Sequence, residues 1–206
     1  MLSLPVGIVL AVTALYGAFL FWYGGRGRPL TSDEIETRLR QLAGRDQDPH
    51  GQALLQGVRD LLSQDDGREF VMQNLVRYRP KALYPPGHDF GDDPRAADRR
   101  YGRAILWPLL RRACVLVFVA RRSGRFIDPP GAEPWHYVAM VRYRSRRDFL
   151  DFALEIERGD IVMHKWAAIA TTHVFPVQPL VSLVLVRSAV LVVLCLGGLA
   201  AWALLR

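Results

Sequence analysis

The first candidate for chemistry in this sequence is a polar amide inside an otherwise apolar run. Asn74 lies in the segment FVMQNLVRY, residues 70–78, and its side chain needs a hydrogen-bond partner once the segment is buried. That partner is either the carbonyl or enolate of a bound ligand or a neighbouring backbone group. In a strand, Gln73 points to the opposite face from Asn74, so the two cannot line one pocket.

Other residues of the right types accompany Asn74, each with a structural alternative. The aromatic residues could line a ligand pocket or pack in an ordinary core. His164 could act as a base, bind haem as a ligand, or have no chemical role. His136 and Arg142 share a strand face, which suits an anionic ligand or a solvated surface. The candidate ligand-binding residues are Asn74, Arg77, Tyr101, Trp135, Tyr143 and His164. The sequence assigns no catalytic residue.

Metal and cofactor chemistry have weak support in the sequence. One loop clusters possible oxygen and nitrogen ligands, His88, Asp89, Asp92 and Asp93, but a solvated loop is the commoner structure and Asp93 is expected to cap a helix. Cys114 begins an apolar run, where nothing nearby lowers its pKa. Phosphate-binding loops, dinucleotide fingerprints, nucleophile elbows and CxxC pairs do not occur. We therefore expect no metal and no cofactor.

Hydrophobic patterning predicts the elements that position these residues. Strands are expected at 70–78, 113–120, 135–143 and 171–175, and the second of them, ACVLVFVA, is expected to be buried. Asp93-Pro94 and Ser145-x-x-Asp148 are helix starts, with a further helical turn at 161–168. The order is β-α-β-β-α-β. The sequence therefore predicts an α+β fold of the ferredoxin-like, split βαβ type.

Several of these segments resemble the dimeric α/β-barrel proteins of the DUF1330 type. The resemblance rests on VMQNLVRY (71–78), on the helix from Tyr101-Gly102 to WPLLRR (107–112), and on WHYVAMVRYRSRRDF (135–149). It covers roughly residues 68–176. It implies a four-stranded antiparallel sheet with two helices on one face, a small-molecule pocket between them, and pairing of two sheets in a homodimer. Relatives include monooxygenases, isomerases and many proteins without assigned activity, so it implies no particular reaction.

Two apolar ends flank this domain, and the second of them carries Arg187 near its start. All 20 acidic and 25 of the 27 basic residues lie between positions 24 and 178. Residues 1–23 and 180–205 are each long enough to span a bilayer as a helix. The predicted organisation is a transmembrane helix at 1–23, a helical linker hairpin at 24–67, the α/β domain at 68–178 and a second transmembrane helix at 180–205. Arg26 and Arg28 follow the first span, and Arg187 lies near the domain-side end of the second, before the uncharged residues 188–205.

The flanking arginines predict the orientation, because basic residues favour the cytoplasmic side. We expect a two-pass protein of the bacterial inner (plasma) membrane with its domain in the cytoplasm. The arginines are scattered among acids without a long basic run, so nucleic-acid binding is not expected. The expected partners are the lipid bilayer, a second copy of the chain, and a small apolar or aromatic ligand.

These observations lead to one functional interpretation with two alternatives. The first is a membrane-anchored, small-molecule-binding dimeric α/β-barrel protein whose ligand is lipid-soluble, such as a quinone-like or aromatic compound. The second is a cofactor-independent monooxygenase or isomerase acting in the same pocket. The third is a non-catalytic membrane assembly module, which requires a filled core and an exposed apolar surface.

Overall fold

The computed structural model describes residues 4–25, 27–42, 49–180 and 186–205. The chain forms two compact units, one made of segments 1–26 and 179–206 and the other of residues 27–178. The described elements, in chain order, are α1 (Leu4–Gly24), α2 (Ser32–Leu42), α3 (Pro49–Ser63), β1 (Phe70–Tyr78), α4 (Pro94–Leu110), β2 (Val115–Arg121), β3 (Tyr137–Tyr143), α5 (Arg146–Arg158), α6 (Ile161–Ala168), β4 (Ile169–Val177) and α7 (Val186–Leu204).

The terminal unit consists of α1 and α7, two helices long and apolar enough to cross a membrane. They pack against each other where Gly198 of α7 approaches Ile8 and Val12 of α1, since a glycine lets two helices come close. The Arg187 guanidinium lies 5.0 Å from the centre of the Tyr23 ring. Residues 181–185, part of the predicted second span, lie outside the described residues.

The second unit contains a four-stranded antiparallel sheet with the order β2-β3-β1-β4. One face of the sheet packs on helices: Met72 and Val141, paired in register, share a core with Leu109 of α4 and Phe152 of α5. Strand alternation places Gln73 and Met140 on the opposite face.

Helix starts follow local capping chemistry, as the sequence predicts. The Asp93 carboxylate accepts a hydrogen bond from the Arg95 backbone N–H at 2.8 Å, and Pro94 occupies the first helical position of α4. The Ser145 hydroxyl accepts from the Asp148 backbone N–H at 3.1 Å and begins α5. These contacts fix where each helix leaves the sheet.

The linker helices pack on the α/β domain. Leu39 of α2 and Leu62 of α3 form a core with Leu150 and Leu154 of α5. The chain entering α2 is held by a hydrogen bond from the Leu30 backbone N–H to the Asp65 carboxylate at 2.7 Å. The two linker helices α2 and α3 thus share a hydrophobic core with α5.

Two strand predictions need correction. β2 is an edge strand with alternating exposed and half-buried residues, whereas its apolar sequence predicts a buried strand. Its exposed faces carry apolar side chains such as Phe118, which is 45% exposed. β3 begins at Tyr137, two residues later than predicted, because the chain at Trp135 leaves the strand and bonds back to Glu133.

Candidate functional site

The structure divides the six sequence-predicted site residues among three places. Asn74, Tyr101 and Tyr143 lie in the layer between the sheet and α4. Arg77 and Trp135 lie on the other side of the sheet, and His164 lies on α6 beside the loop that follows β1. They do not form one site.

The side-chain amide of Asn74 is engaged by backbone. Its Nδ2 donates to the carbonyl of Met72 at 3.1 Å and to that of Ala139 on β3 at 3.4 Å. The sequence allows two partners for this amide, a bound ligand or neighbouring backbone, and in the structure the partner is backbone. Only the amide oxygen of Asn74 is left for a ligand.

Tyr143 and Tyr101 belong to the core under α4. The Tyr143 ring stacks on Phe70 at 5.5 Å and meets Phe149 edge-on at 5.0 Å between centroids. Tyr101 packs against the same cluster. Burial raises the phenol pKa of both residues, with the Asp98 carboxylate adding to the shift at Tyr101 and the Tyr101 phenol to that at Tyr143.

Arg77 and Trp135 lie on the sheet face opposite the helices. The Arg77 guanidinium donates to the Thr171 hydroxyl at 2.9 Å and pairs with Glu133 at 2.8 Å. The Trp135 ring stacks on His173, with 6.2 Å between centroids. The strand alternation that groups Trp135 with Tyr143 fails, because Trp135 precedes the first paired residue of β3.

His164 joins an aromatic cluster with the loop after β1. Its Nδ1 lies 2.9 Å from the Tyr84 hydroxyl, and its ring meets Phe90 edge-on at 4.9 Å. Burial lowers the pKa of His164, and the nearby Arg100 guanidinium lowers it further. The His88 ring stacks on Phe90 at 6.2 Å.

The carboxylates of this loop have structural partners. Asp89 accepts from the Gly91 backbone N–H at 3.1 Å, Asp92 pairs with Lys81 at 3.2 Å, and Asp93 caps α4. These contacts tie the loop to itself and to the start of the helix.

A polar cluster in the layer between the sheet and α4 centres on Asp98, a residue that the sequence does not single out. The phenol of Tyr78, at the end of β1, donates to Asp98 Oδ2 at 2.8 Å, and the phenol of Tyr137, at the start of β3, donates to Oδ1 at 3.1 Å. Asp98 is the single acidic residue of α4, which is the only sequence signal for it. Three separate elements thus meet at one carboxylate.

The electrostatics of this cluster follow from burial beside a negative charge. Burial first, and the Asp98 carboxylate second, raise the phenol pKa of Tyr78 and Tyr137. Burial lowers the pKa of the Lys165 ammonium, and Asp98 partly opposes that change. The Lys165 Nζ lies 5.9 Å from the centre of the Tyr101 ring, on the same side of the sheet as the cluster.

His136 occupies the adjoining position at the end of the sheet. Its Nδ1 accepts a hydrogen bond from the Tyr78 backbone N–H at 3.0 Å. Because an N–H can donate only to an unprotonated ring nitrogen, the neutral ring carries its proton on Nε2. His136 therefore offers a donor, and Asp98 supplies the acceptor charge.

These groups line a cleft of about 690 Å³ at the end of the sheet. Its walls are the first turns of α4 and the loop between β2 and β3, and five arginines lie among its lining residues. The lining residues are Tyr78, Arg95, Asp98, Arg99, Val119, Arg121, Arg122, Ser123, Gly124, Arg125, Pro134, Trp135, His136 and Tyr137. Of the sequence-predicted set, only Trp135 lines it.

Four tyrosines with raised pKa values predict a specific response to alkali. An unfolded phenol ionises near about pH 10, whereas Tyr78, Tyr101, Tyr137 and Tyr143 stay neutral to higher pH in the folded chain. Their contribution to stability is complete below about pH 10 and declines as the pH rises above it. We expect phenolate absorbance from these four to appear together with loss of the far-ultraviolet circular dichroism signal. Phenolate formation by all tyrosines ahead of unfolding would contradict this.

The structure thus defines an α+β protein with a four-stranded antiparallel sheet and two terminal helices able to span a membrane. No protein-family model and no curated protein matches the sequence. Solved structures do match: a methylated RPA0582 protein is 27% identical with a TM-score of 0.55, covering 65% of this chain and 94% of that one. RPA0582 of Rhodopseudomonas palustris, described as a protein of unknown function, is 26% identical with a TM-score of 0.54, covering 66% and 97%.

Proposed function

We propose that this chain is a membrane-anchored small-molecule-binding protein that holds its ligand in the cleft beside Asp98. The carrying observation is the pair of phenols fixed on one carboxylate at the floor of a cleft of about 690 Å³. Cavities of about 300–1,000 Å³ with a few placed polar groups are typical of small-molecule sites. The rings of Tyr78 and Tyr137 suit an aromatic or quinone-like body, and His136 Nε2 suits an oxygen acceptor on it.

The finer fold assignment belongs to the same proposal. The strand order β2-β3-β1-β4, with α4 and α5 connecting strands, supports a ferredoxin-like domain of the dimeric α/β-barrel, DUF1330 type. Two helices able to span a membrane support an integral membrane protein, and the flanking arginines support an inner-membrane location with the domain in the cytoplasm.

A second copy of the chain is the proposed protein partner. Phe118, Met140, Gln73 and Phe175 lie side by side in register on the sheet face opposite the helices, and the two phenylalanines are 45% and 37% exposed. Pairing of two such faces would bury this row. The same pairing is what a non-catalytic assembly module would use.

Native mass spectrometry of the full chain released from detergent tests the ligand and the dimer together. We expect a dimer that carries an extra non-covalent mass. Ser123→Trp places an indole in the cleft from an exposed loop and should lower the ligand occupancy about tenfold, equivalent to ~1.4 kcal/mol. Ile127→Trp is the matched control, because residue 127 is on the same loop, 81% exposed and outside the cleft lining.

Each contrary result has a defined meaning. A wild-type chain with no retained mass would contradict the proposed function. Equal retention by Ser123→Trp and Ile127→Trp would place the ligand outside this cleft, and a monomer would contradict sheet pairing.

An isomerase is a second candidate, favoured by the Asp98 carboxylate. A base must be within hydrogen-bond reach of the proton that it removes, and Asp98 is the acceptor group at the cleft floor, since His136 carries its free proton on Nε2. The compound extracted from wild type and from Asp98→Asn can be compared by chromatography. A second isomer recovered only from the wild type would favour the enzyme over the binding protein.

A further inference from the structure

The cleft beside Asp98 carries an excess of positive charge on two facing walls. The first turns of α4 provide Arg95 and Arg99, while the end of β2 and the loop after it provide three more arginines. Arg121 ends β2, and Arg122 and Arg125 lie in the loop after it. Among the described residues that line the cleft, these five are all of the arginines and no lysine joins them.

Three of the five arginines already have carboxylate partners. Arg99 pairs with Asp93 at 3.5 Å, and Arg122 and Arg125 share Asp128. Arg122 also donates to the Gly124 carbonyl at 2.8 Å. These three guanidiniums shape the walls of the cleft.

The other two, one on each wall, have no carboxylate within ion-pair distance in the described part of the chain. Arg95 lies one helical turn before Asp98, and Arg121 pairs across the sheet with Tyr137, so both stand beside the two phenols. The carboxylate of Asp98 is occupied by those phenols. Counting Asp98 together with Asp93 and Asp128, the two acids that pair with these arginines, five guanidiniums face three carboxylates, which leaves two positive charges.

We propose that Arg95 and Arg121 form a subsite for the phosphate group of the ligand. This inference rests on the proposed function and adds the chemical class of its ligand: a phosphate ester whose organic part lies over the phenols. A phosphate dianion matches the two excess charges, and guanidinium groups bind phosphate oxygens through paired, charge-assisted hydrogen bonds. The ester is either a soluble compound or the headgroup of a lipid.

Inorganic phosphate is the probe for the subsite. The full chain in a phosphorus-free detergent is titrated with phosphate, and the phosphorus NMR line width is followed at constant ionic strength set with chloride. We expect saturable broadening. Arg95→Gln and Arg121→Gln should each weaken binding about tenfold, near the lower end for a charge-assisted hydrogen bond. Arg103→Gln, an exposed position further along α4 and outside the cleft, should match wild type.

A lipid arm separates the two sources of phosphate. The same titration is made in phosphatidylcholine nanodiscs with and without phosphatidic acid, whose headgroup is a phosphate monoester. Loss of phosphate binding in the phosphatidic acid discs would support the subsite with a lipid ligand. Unchanged binding would support the subsite with a soluble ester.

The results that overturn the subsite differ from those that overturn the proposed function. No saturable broadening in wild type, or equal affinity in wild type, Arg95→Gln and Arg121→Gln, would reject the phosphate subsite. If Ser123→Trp still removed a retained mass in that case, the cleft would remain a ligand site for another class of compound.

Discussion

Asp98→Ala is expected to lower the free energy of unfolding by about 3 kcal/mol, because it leaves two phenols without their acceptor. Tyr78 and Tyr137 both donate to this carboxylate, at 2.8 and 3.1 Å. Leaving a half-buried donor without its acceptor costs more folding free energy than removing the donor itself. The carboxylate also favours the charged form of Lys165, so its loss removes a second interaction. The measurement is urea unfolding of the full chain in detergent.

Tyrosine variants provide the control for this prediction. Tyr78→Phe and Tyr137→Phe remove one donor each and should cost about 1 kcal/mol. Combining both with Asp98→Ala removes the orphaned donors and should recover about half of the loss. If Asp98→Ala cost no more than either Phe variant, the carboxylate would not organise the cleft floor.

Gly67→Ala is expected to lower the free energy of unfolding by about 3 kcal/mol or more, since two costs add at this position. Gly67 has φ +72°, which costs an L-residue about 1–2 kcal/mol. A Cβ there would also lie 2.4 Å from the Gly27 carbonyl oxygen, which is backbone and cannot rotate away. Relief requires moving residues 27–30 and weakening the Leu30 to Asp65 hydrogen bond.

Gly87→Ala separates the two costs of the Gly67 variant. Gly87 has φ +88° in an exposed loop, and a Cβ there meets nothing within 4 Å, so this variant should cost only about 1 kcal/mol. Urea unfolding of both variants gives the comparison. Equal losses would mean that residues 27–30 move freely and that the linker helices are not held at this turn.

Local structure was largely predictable from the sequence, for reasons visible in particular residues. β1 begins and ends at Phe70 and Tyr78 as predicted, because the apolar run is bounded by a turn at Asp66-Gly67 and by Pro80. Ser145 and Asp93 cap helices because a side-chain oxygen satisfies a backbone N–H within three residues. Such interactions involve neighbours in sequence and are specified by residue type and spacing.

The candidate site was predictable only in part. Of the six residues that the sequence groups into one candidate site, Trp135 lines the cleft beside Asp98 and the other five do not. In sequence, Asp98 is one acid among the arginines of a helix, and its tyrosine partners are 20 and 39 residues away. The local sequence pattern therefore does not indicate that the two tyrosines contact Asp98.

The sequence by itself determined the segregation of charge, the two apolar ends, the caps and most strand and helix positions, because each depends on composition or on short spacing. Only the tertiary structure decided that β2 lies at the sheet edge, that Trp135 stacks on His173, and that Tyr78, Asp98 and Tyr137 converge. These outcomes depend on the order and register of the strands, which are set by contacts between residues distant in sequence. An apolar strand such as β2 has the same sequence pattern at an edge and in a sheet centre. Its position in the sheet is therefore decided by the packing of the whole domain.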